Sequence, residues 1–309
     1  MDAECLIIGG GPAGLTAATY LGRFRRRTLL IDAGKSRAAW IPITHNLPGF
    51  TDGISGRDLL GRMQAQSDLY GALRLEGSIE HLTTNSGLFR ATLGDKQVTA
   101  RRVLLATGGL DVEPEINGIR MAVQDGLIRY CPICDAFEAA GKKVALVAYG
   151  KCRVKEALLL RGYTADLTVL TLGQDMHITR DEHQMLANAG IEIVRDPITR
   201  FSRHDKQVAA WPTHANVPLL FDVLYSALGT RIRSQIALDL GADCDEDGAL
   251  IVDRHQRTTV PGLFAAGDVV QGLSQVSIAS AHAAIAATTM NAELPPLLFG
   301  VEEKAPADR

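Results

Sequence analysis

The chain has 309 residues, 46% of them hydrophobic and 22% charged, with a formal net charge of −3. That length is enough to bury a large core and to hold two domains, one inserted in the other. The balance of charge gives no footing for nucleic acid or an anionic membrane surface, and no apolar run approaches the roughly 20 residues of a spanning helix.

Met1-Asp2-Ala3-Glu4 is acidic and leads straight into apolar residues, unlike a secretory leader, so a cytoplasmic protein is expected. Cys5-Leu6-Ile7-Ile8 reads as a short buried strand. Gly9-Gly10-Gly11-Pro12-Ala13-Gly14 follows it, and residues 15–21 then have the small and apolar pattern of a packed helix. This is a GxGxxG turn. Gly9 makes the tight turn, Gly11 lets backbone approach a pyrophosphate, and Gly14 lets helix and strand pack closely. A second strand over 28–31 ends in Asp32, where a carboxylate can bind a ribose hydroxyl. Strand, helix and acid together predict a nucleotide site. Arg23, Arg25, Arg26 and Arg27 read as a solvated helix end. Beyond them come a turn-rich loop at 45–49, an amphipathic helix over 56–70, and antiparallel strands over 88–93 and 97–105. Residues 103–109 form a buried strand running into a glycine turn. His45 reads as a hydrogen-bonded loop residue.

Cys131-Pro132-Ile133-Cys134-Asp135 is the smallest unit that makes and breaks a disulfide. A helix start nearby would lower the thiolate pKa, and Asp135 could hold or pass the proton that leaves during exchange. Two other readings stand beside it: half a zinc site, or two small buried side chains. Zinc requires a second pair at ligand spacing, and Cys5, Cys152 and Cys244 are scattered singly, so no metal is expected. Further strands are predicted over 143–147, 166–170 and 219–228, the last returning to the first domain. A turn and strand are predicted over 247–253. Residues 259–266 deliver Gly267-Asp268, and an alanine-rich helix runs to about Met290, interrupted by His282.

In this order, the glycine turn, Asp32, the Asn46/Pro48/Gly49 loop, Ala106-Thr107-Gly108, the CxxC-Asp stretch and Gly267-Asp268 resemble a low-molecular-weight thioredoxin reductase. The resemblance runs from about residue 4 to residue 293. It implies an α/β protein of two Rossmann-like, three-layer domains. On that resemblance the FAD domain is expected to be discontinuous, residues 1–113 and 228–309, with a nucleotide-binding-like domain inserted at 114–227. It also implies FAD held by Gly9, Gly11, Pro12, Ala13, Gly14, Asp32, Asn46, Thr107, Gly108, Gly267, Asp268, Gln275 and Val276. The same resemblance implies Cys134 next to the flavin, Cys131 as the outer thiol and Asp135 as the acid/base. A homodimer follows from the same resemblance as an expectation, with a thioredoxin-like protein or a small dithiol or disulfide as partner.

The inserted region departs from the pattern twice. Where the family has a second glycine fingerprint, this chain has Ala148-Tyr149-Gly150-Lys151-Cys152-Arg153. Where NADPH-using members have an arginine cluster for the 2′-phosphate, it has Thr171-Leu172-Gly173-Gln174-Asp175-Met176-His177. The expectation is a FAD-dependent thiol–disulfide oxidoreductase that works without NADPH, with a donor such as a ferredoxin-like protein. The alternatives are a dithiol oxidase that passes electrons to oxygen, an unorthodox phosphate site built on Lys151 and Arg153, and a FAD-bound redox sensor.

Overall fold

The computed structural model describes residues 2–113, 119–149 and 154–298, which divide into two compact units. The first comprises the described residues of 1–34, 63–107 and 234–309. Its centre is the strand Ala3–Ile8, which lies parallel to Thr28–Asp32 on one side and to Lys96–Leu105 on the other. Leu73–Glu76 and Leu263–Ala265 extend the parallel sheet outward. The ten-residue strand Lys96–Leu105 serves two partners. Its first half pairs antiparallel with Leu88–Leu93, which pairs in turn with His81–Asn85, and its last three residues pair parallel with Leu263–Ala265. The two strands read from the sequence over 97–105 and 103–109 are thus one strand ending at Leu105.

Two helices cover this sheet. Pro12–Arg23 and Val276–Glu293 pack on each other through Ala13, Gly14, Ala17 and Ala18 against Ala279, Ala283, Ala286 and Ala287, all buried. Small side chains let the two backbones approach, and Thr16 Oγ1 donates to Ser280 Oγ at 3.3 Å between them. Arg26 corrects the reading of its arginine run as a solvated end. It is 6% exposed and donates to Glu4 Oε1, Asn291 Oδ1 and the Pro295 carbonyl, tying the chain's start to the end of the last helix. A buried guanidinium is tolerated only when its donors are satisfied in this way. Residues 247–253 form a turn around the Asp245 carboxylate. Leu250 makes isolated bridges there in place of the predicted strand.

The second unit comprises the described residues of 35–62 and 108–233. Its sheet is wholly parallel, in the order Glu192–Val194, Leu167–Leu170, Val144–Val147, Val223–Ser226, Ile128–Arg129. The three middle strands are buried along their whole length, as a parallel sheet covered on both faces requires. The helix Arg180–Asn188 opens with a reciprocal cap in which Thr179 and Glu182 satisfy each other's backbone N–H groups. The strand predicted over 219–228 breaks in two at Asp222. Leu219–Phe221 joins the antiparallel sheet of Ile198–His204 and Gln207–Pro212, and Val223–Ser226 joins the parallel sheet. Asp222 holds the break by accepting from Lys143 N at 2.9 Å and Gln207 Nε2 at 2.8 Å. Among the described residues, no helix is long and apolar enough to cross a membrane.

A side chain at Gly14 would drive its Cβ into the Gly9 carbonyl oxygen, whereas Gly61, inside the helix Gly56–Leu69, faces open space. Gly14→Ala should therefore cost about 2–4 kcal/mol in urea unfolding. Gly61→Ala should stabilise by up to about 1 kcal/mol. Equal midpoints for the two variants would contradict the close packing described.

Candidate active site

The sequence-predicted nucleotide residues of the first unit converge on the starts of its two packed helices. Gly9 has φ +110°, and a Cβ there would collide with the Ala106 carbonyl, which leads into Thr107. Gly11 caps the helix Pro12–Arg23 in extended conformation, with Pro12 in its first turn and no acidic residue there. The first-turn N–H groups have no intrahelical acceptor, and the helix dipole adds positive potential at that end. From the other side comes Gly267, with φ +79°, where a Cβ would stand 3.1 Å from Ala13 Cβ and 3.4 Å from Ala279 Cβ. Asp268 follows it, and Gln275 caps the second helix, whose first residue is Val276 and whose first turn also lacks acids. The cradle is thus backbone-lined, kept open by glycines and free of negative charge in both helix starts, which fits a dinucleotide pyrophosphate. Asp32 is placed by accepting from Gly10 N at 3.0 Å, and a Cβ on Gly10 would collide with that carboxyl. Gly10 thus stands among the candidate nucleotide residues, although the GxGxxG spacing does not single it out; three consecutive glycines are its signal in the sequence. Asn46 and Gly108 belong to the second unit. In the second helix, His282 Nδ1 is buried without a hydrogen-bond partner among the described residues. Burial holds its pKa below the ordinary imidazole value, against the opposing pull of Asp268.

The loop at 171–177 is closed on itself. Thr171 is 1% exposed, Leu172, Gly173 and His177 all have positive φ, and Met176 is packed into the core under the sheet. Asp175 Oδ1 accepts from His177 N at 2.8 Å, and both side chains stand in solvent. Ala148, at the end of the strand Val144–Val147, is fully buried. Gly150, Lys151, Cys152 and Arg153 lie outside the described residues.

Cys131 and Cys134 form a disulfide with a Cα–Cα separation of 5.3 Å. Cys131 caps the short helix Pro132–Asp135, and Cys134 N donates to the Cys131 carbonyl at 2.9 Å. Proline, which lacks an N–H, is well suited to the first helical position there. Ile133 and Phe137, beside the disulfide in sequence, are 58% and 78% exposed. Asp135 turns inward. The Tyr225 hydroxyl donates to its Oδ1 at 2.7 Å, and Arg129 Nη1 donates to its carbonyl at 2.7 Å while standing 3.7 Å from Oδ2. Tyr225 and Arg129 are register partners on adjacent parallel strands, so the sheet itself fixes both groups. Burial raises the Asp135 pKa to about 6 from an ordinary 3.8, outweighing the Arg129 charge and the Tyr225 hydrogen bond, which favour the carboxylate. The resulting group is mostly ionised at neutral pH and takes up a proton just below it, as an exchange catalyst needs. Tyr225 and Arg129 were not found from the sequence. Tyr225 is the polar-headed residue in the strand Val223–Ser226 whose hydroxyl reaches Asp135, and Arg129 precedes Cys131 by two positions.

Because the folded pKa of Asp135 lies above its unfolded value, the group contributes stability that is present below pH 3.8 and lost as pH rises through about 6. Infrared titration of the Asp135 carboxyl should give a midpoint near 6. Tyr225→Phe removes a hydrogen bond to the charged form, so the midpoint should move up by roughly one unit, about 1.4 kcal/mol. A downward shift would refute the placement of the hydroxyl.

Comparison with known proteins places this geometry. The family model described as pyridine nucleotide-disulphide oxidoreductase matches residues 3–288. The thioredoxin reductase of Treponema pallidum is 30% identical over 93% of this chain and 95% of its own. Among solved structures, thioredoxin reductase from Streptococcus pyogenes superposes with a TM-score of 0.86 at 25% identity, covering 93% of this chain and 96% of its own. The atypical thioredoxin reductase TRi from Desulfovibrio vulgaris Hildenborough is 30% identical over 94% of this chain and 97% of its own, with a TM-score of 0.53. A glycine cradle, a CxxC disulfide and a match along nearly the whole chain have one reading: the protein belongs to the pyridine nucleotide-disulphide oxidoreductase family, as a thioredoxin reductase-like flavoprotein and flavin disulfide oxidoreductase.

Proposed function

We propose that this flavin disulfide oxidoreductase uses FAD, with Cys131–Cys134 as its redox-active disulfide and Asp135 as acid/base, and that NADPH is not its efficient donor. The observation that carries the reading is the coupling of a disulfide at a helix start to a buried carboxyl with a pKa of about 6. The FAD domain would be residues 1–113 and 228–309, with 114–227 inserted. FAD would lie over Gly9, Gly11, Pro12, Ala13, Gly14 and Gly267, with Asp32, Asn46, Thr107, Gly108, Asp268, Gln275 and Val276 around it. When bound, it supplies the two-electron chemistry that exchanges with the dithiol. The protein's own part is thiol exchange. A partner thiolate attacks Cys131 Sγ, the Cys131–Cys134 bond breaks, and Cys134 leaves as thiolate. A second partner thiolate then releases Cys131, so that two electrons have passed to the chain and the partner has become a disulfide. Asp135 holds the proton that each thiolate gives up or needs. The reverse sequence reduces a partner disulfide. The exposed Ile133 and Phe137 suit an apolar partner surface, such as a thioredoxin-like protein or a small dithiol. A ferredoxin-like protein is the donor we expect for the reductive direction.

The reading on NADPH rests on the loop at 171–177, which has no arginine and presents the Asp175 carboxylate to solvent. Each charged hydrogen bond lost to a 2′-phosphate is worth about 1.5–3 kcal/mol. Two such losses weaken binding by at least about two orders of magnitude.

Anaerobic titration of the FAD-loaded protein, followed by flavin absorbance, tests both parts. NADPH and NADH at sub-millimolar concentration should reduce the flavin slowly or not at all, whereas dithiols should exchange with it. Rapid stoichiometric bleaching by NADPH would return the protein to the ordinary reductases. In the single-cysteine variants, Cys131→Ser leaves Cys134 able to give a long-wavelength band with the flavin, and Cys134→Ser does not. Identical spectra would overturn the order of roles. Oxygen consumption driven by dithiol in the wild type would select the oxidase direction.

A further inference from the structure

The second unit carries a pocket of about 560 Å³ at the N-terminal edge of its parallel sheet, lined by Arg129, Lys142, Arg203, Lys206, Asp125 and Asp222 among others. Four cations face two acids, and both acids are already engaged. Asp125 pairs with Arg203. Asp222 spends one carboxylate oxygen on Lys143 N and the other on Gln207 Nε2, and these hydrogen bonds, Gln207's foremost, hold its pKa below the ordinary value. Three donors are left over. Lys142 Nζ and Lys206 Nζ have no ion pair or hydrogen bond among the described residues. Arg129, whose side chain is only 12% exposed, uses Nε on the Gly126 carbonyl and Nη1 on the Asp135 carbonyl, with the Tyr225 hydroxyl 3.5 Å from Nη1, and its Nη2 has no acceptor among the described residues. Gly126 lines the same pocket, and a Cβ there would stand 3.8 Å from that Nη2. Cationic donors left without acceptors in a concave site suit an anion. Three of them from separate segments match the three terminal oxygens of a phosphate group better than the two of a carboxylate.

We propose that this pocket is an effector site for a small phosphate-bearing molecule, coupled to the CxxC centre through Arg129. The coupling rests on the reading of Asp135 as acid/base given above. The Arg129 guanidinium spans the distance from pocket to Asp135, so a bound dianion offsets the positive charge that favours the Asp135 carboxylate. The other groups facing Asp135 are Tyr225 from the neighbouring strand, Glu138 from the following turn and Lys142 from the loop beyond it. Of these, Lys142 also lines the pocket, so its charge is offset in the same direction. Phosphate binding therefore raises the proton affinity of Asp135, and by reciprocity protonation of Asp135 tightens phosphate binding.

Calorimetry on the FAD-loaded protein with inorganic phosphate and with glycerol 3-phosphate tests the site. Saturable binding is expected, weakened at least tenfold in Lys142→Ala/Lys206→Ala and unchanged in the surface control Lys96→Ala. Tighter binding of the ester would identify a phosphorylated metabolite; equal binding would identify free phosphate. Saturating phosphate should also shift the pH profile of dithiol exchange toward higher pH, while chloride at equal ionic strength should not. Absence of saturable binding, or equal affinity in the double variant, would overturn the site. Binding without the pH shift would overturn the coupling. A wild-type profile with no inflection that depends on Asp135 would instead fail the acid/base reading and leave the binding result standing.

Discussion

The first unit depends on keeping side chains out of one small volume. Gly9, Gly14 and Gly267 stand where two helix starts and two strand ends meet, and at each of them a Cβ would press on backbone or on an alanine. The alanine-rich face of Val276–Glu293 has little to offer in hydrophobic area per residue, yet it is what lets that helix lie against Pro12–Arg23. Closeness of packing takes the place of burial per side chain here. The result is a backbone-lined hollow with helix N–H groups, rather than side chains, at its edge, an arrangement suited to an anion. The Arg26 clamp to Glu4, Asn291 and Pro295 closes the same unit from the opposite end of the helix.

The second unit solves a different problem, which is to bury a carboxyl beside a disulfide without either neutralising it for good or fixing it as a permanent anion. Desolvation pushes Asp135 toward the acid, while Tyr225 and Arg129 pull it back toward the carboxylate. Because both counterweights sit on adjacent strands of a rigid parallel sheet, the balance is set by strand register and not by a mobile loop. Tyr225 bears the converse cost. Burial, the Asp135 charge and the hydrogen bond it donates all raise its own pKa, so it stays a donor throughout the working range.

The loop at 171–177 contains no arginine, yet it is firmly built into the fold. Thr171 remains tied to Val194 through its backbone, Met176 anchors the loop in the core, and the left-handed residues complete the turn. The loop's course is thus set by backbone bonding and one buried side chain, and its exposed residues are free to vary.

The sequence by itself determined the chemistry that is local along the chain. GxGxxG between a strand and a helix, an acid at the end of the second strand, and CxxC followed by Asp each occupy a few consecutive residues, so spacing alone reveals them. The parallel strands could also be read, since buried apolar runs such as Val144–Val147 have little other use. Where meaning came from distant partners, the sequence was silent or misleading. Arg26 read as solvated because Asn291 and Pro295 lie some 265 positions away. The apolar run at 219–228 read as one strand because nothing local announces that Asp222 will be claimed by Lys143 and Gln207. Tyr225 and Arg129 are ordinary residues until parallel pairing sets them side by side under Asp135. A pKa near 6 is likewise a property of burial and neighbours, quantities that exist only once the chain has folded.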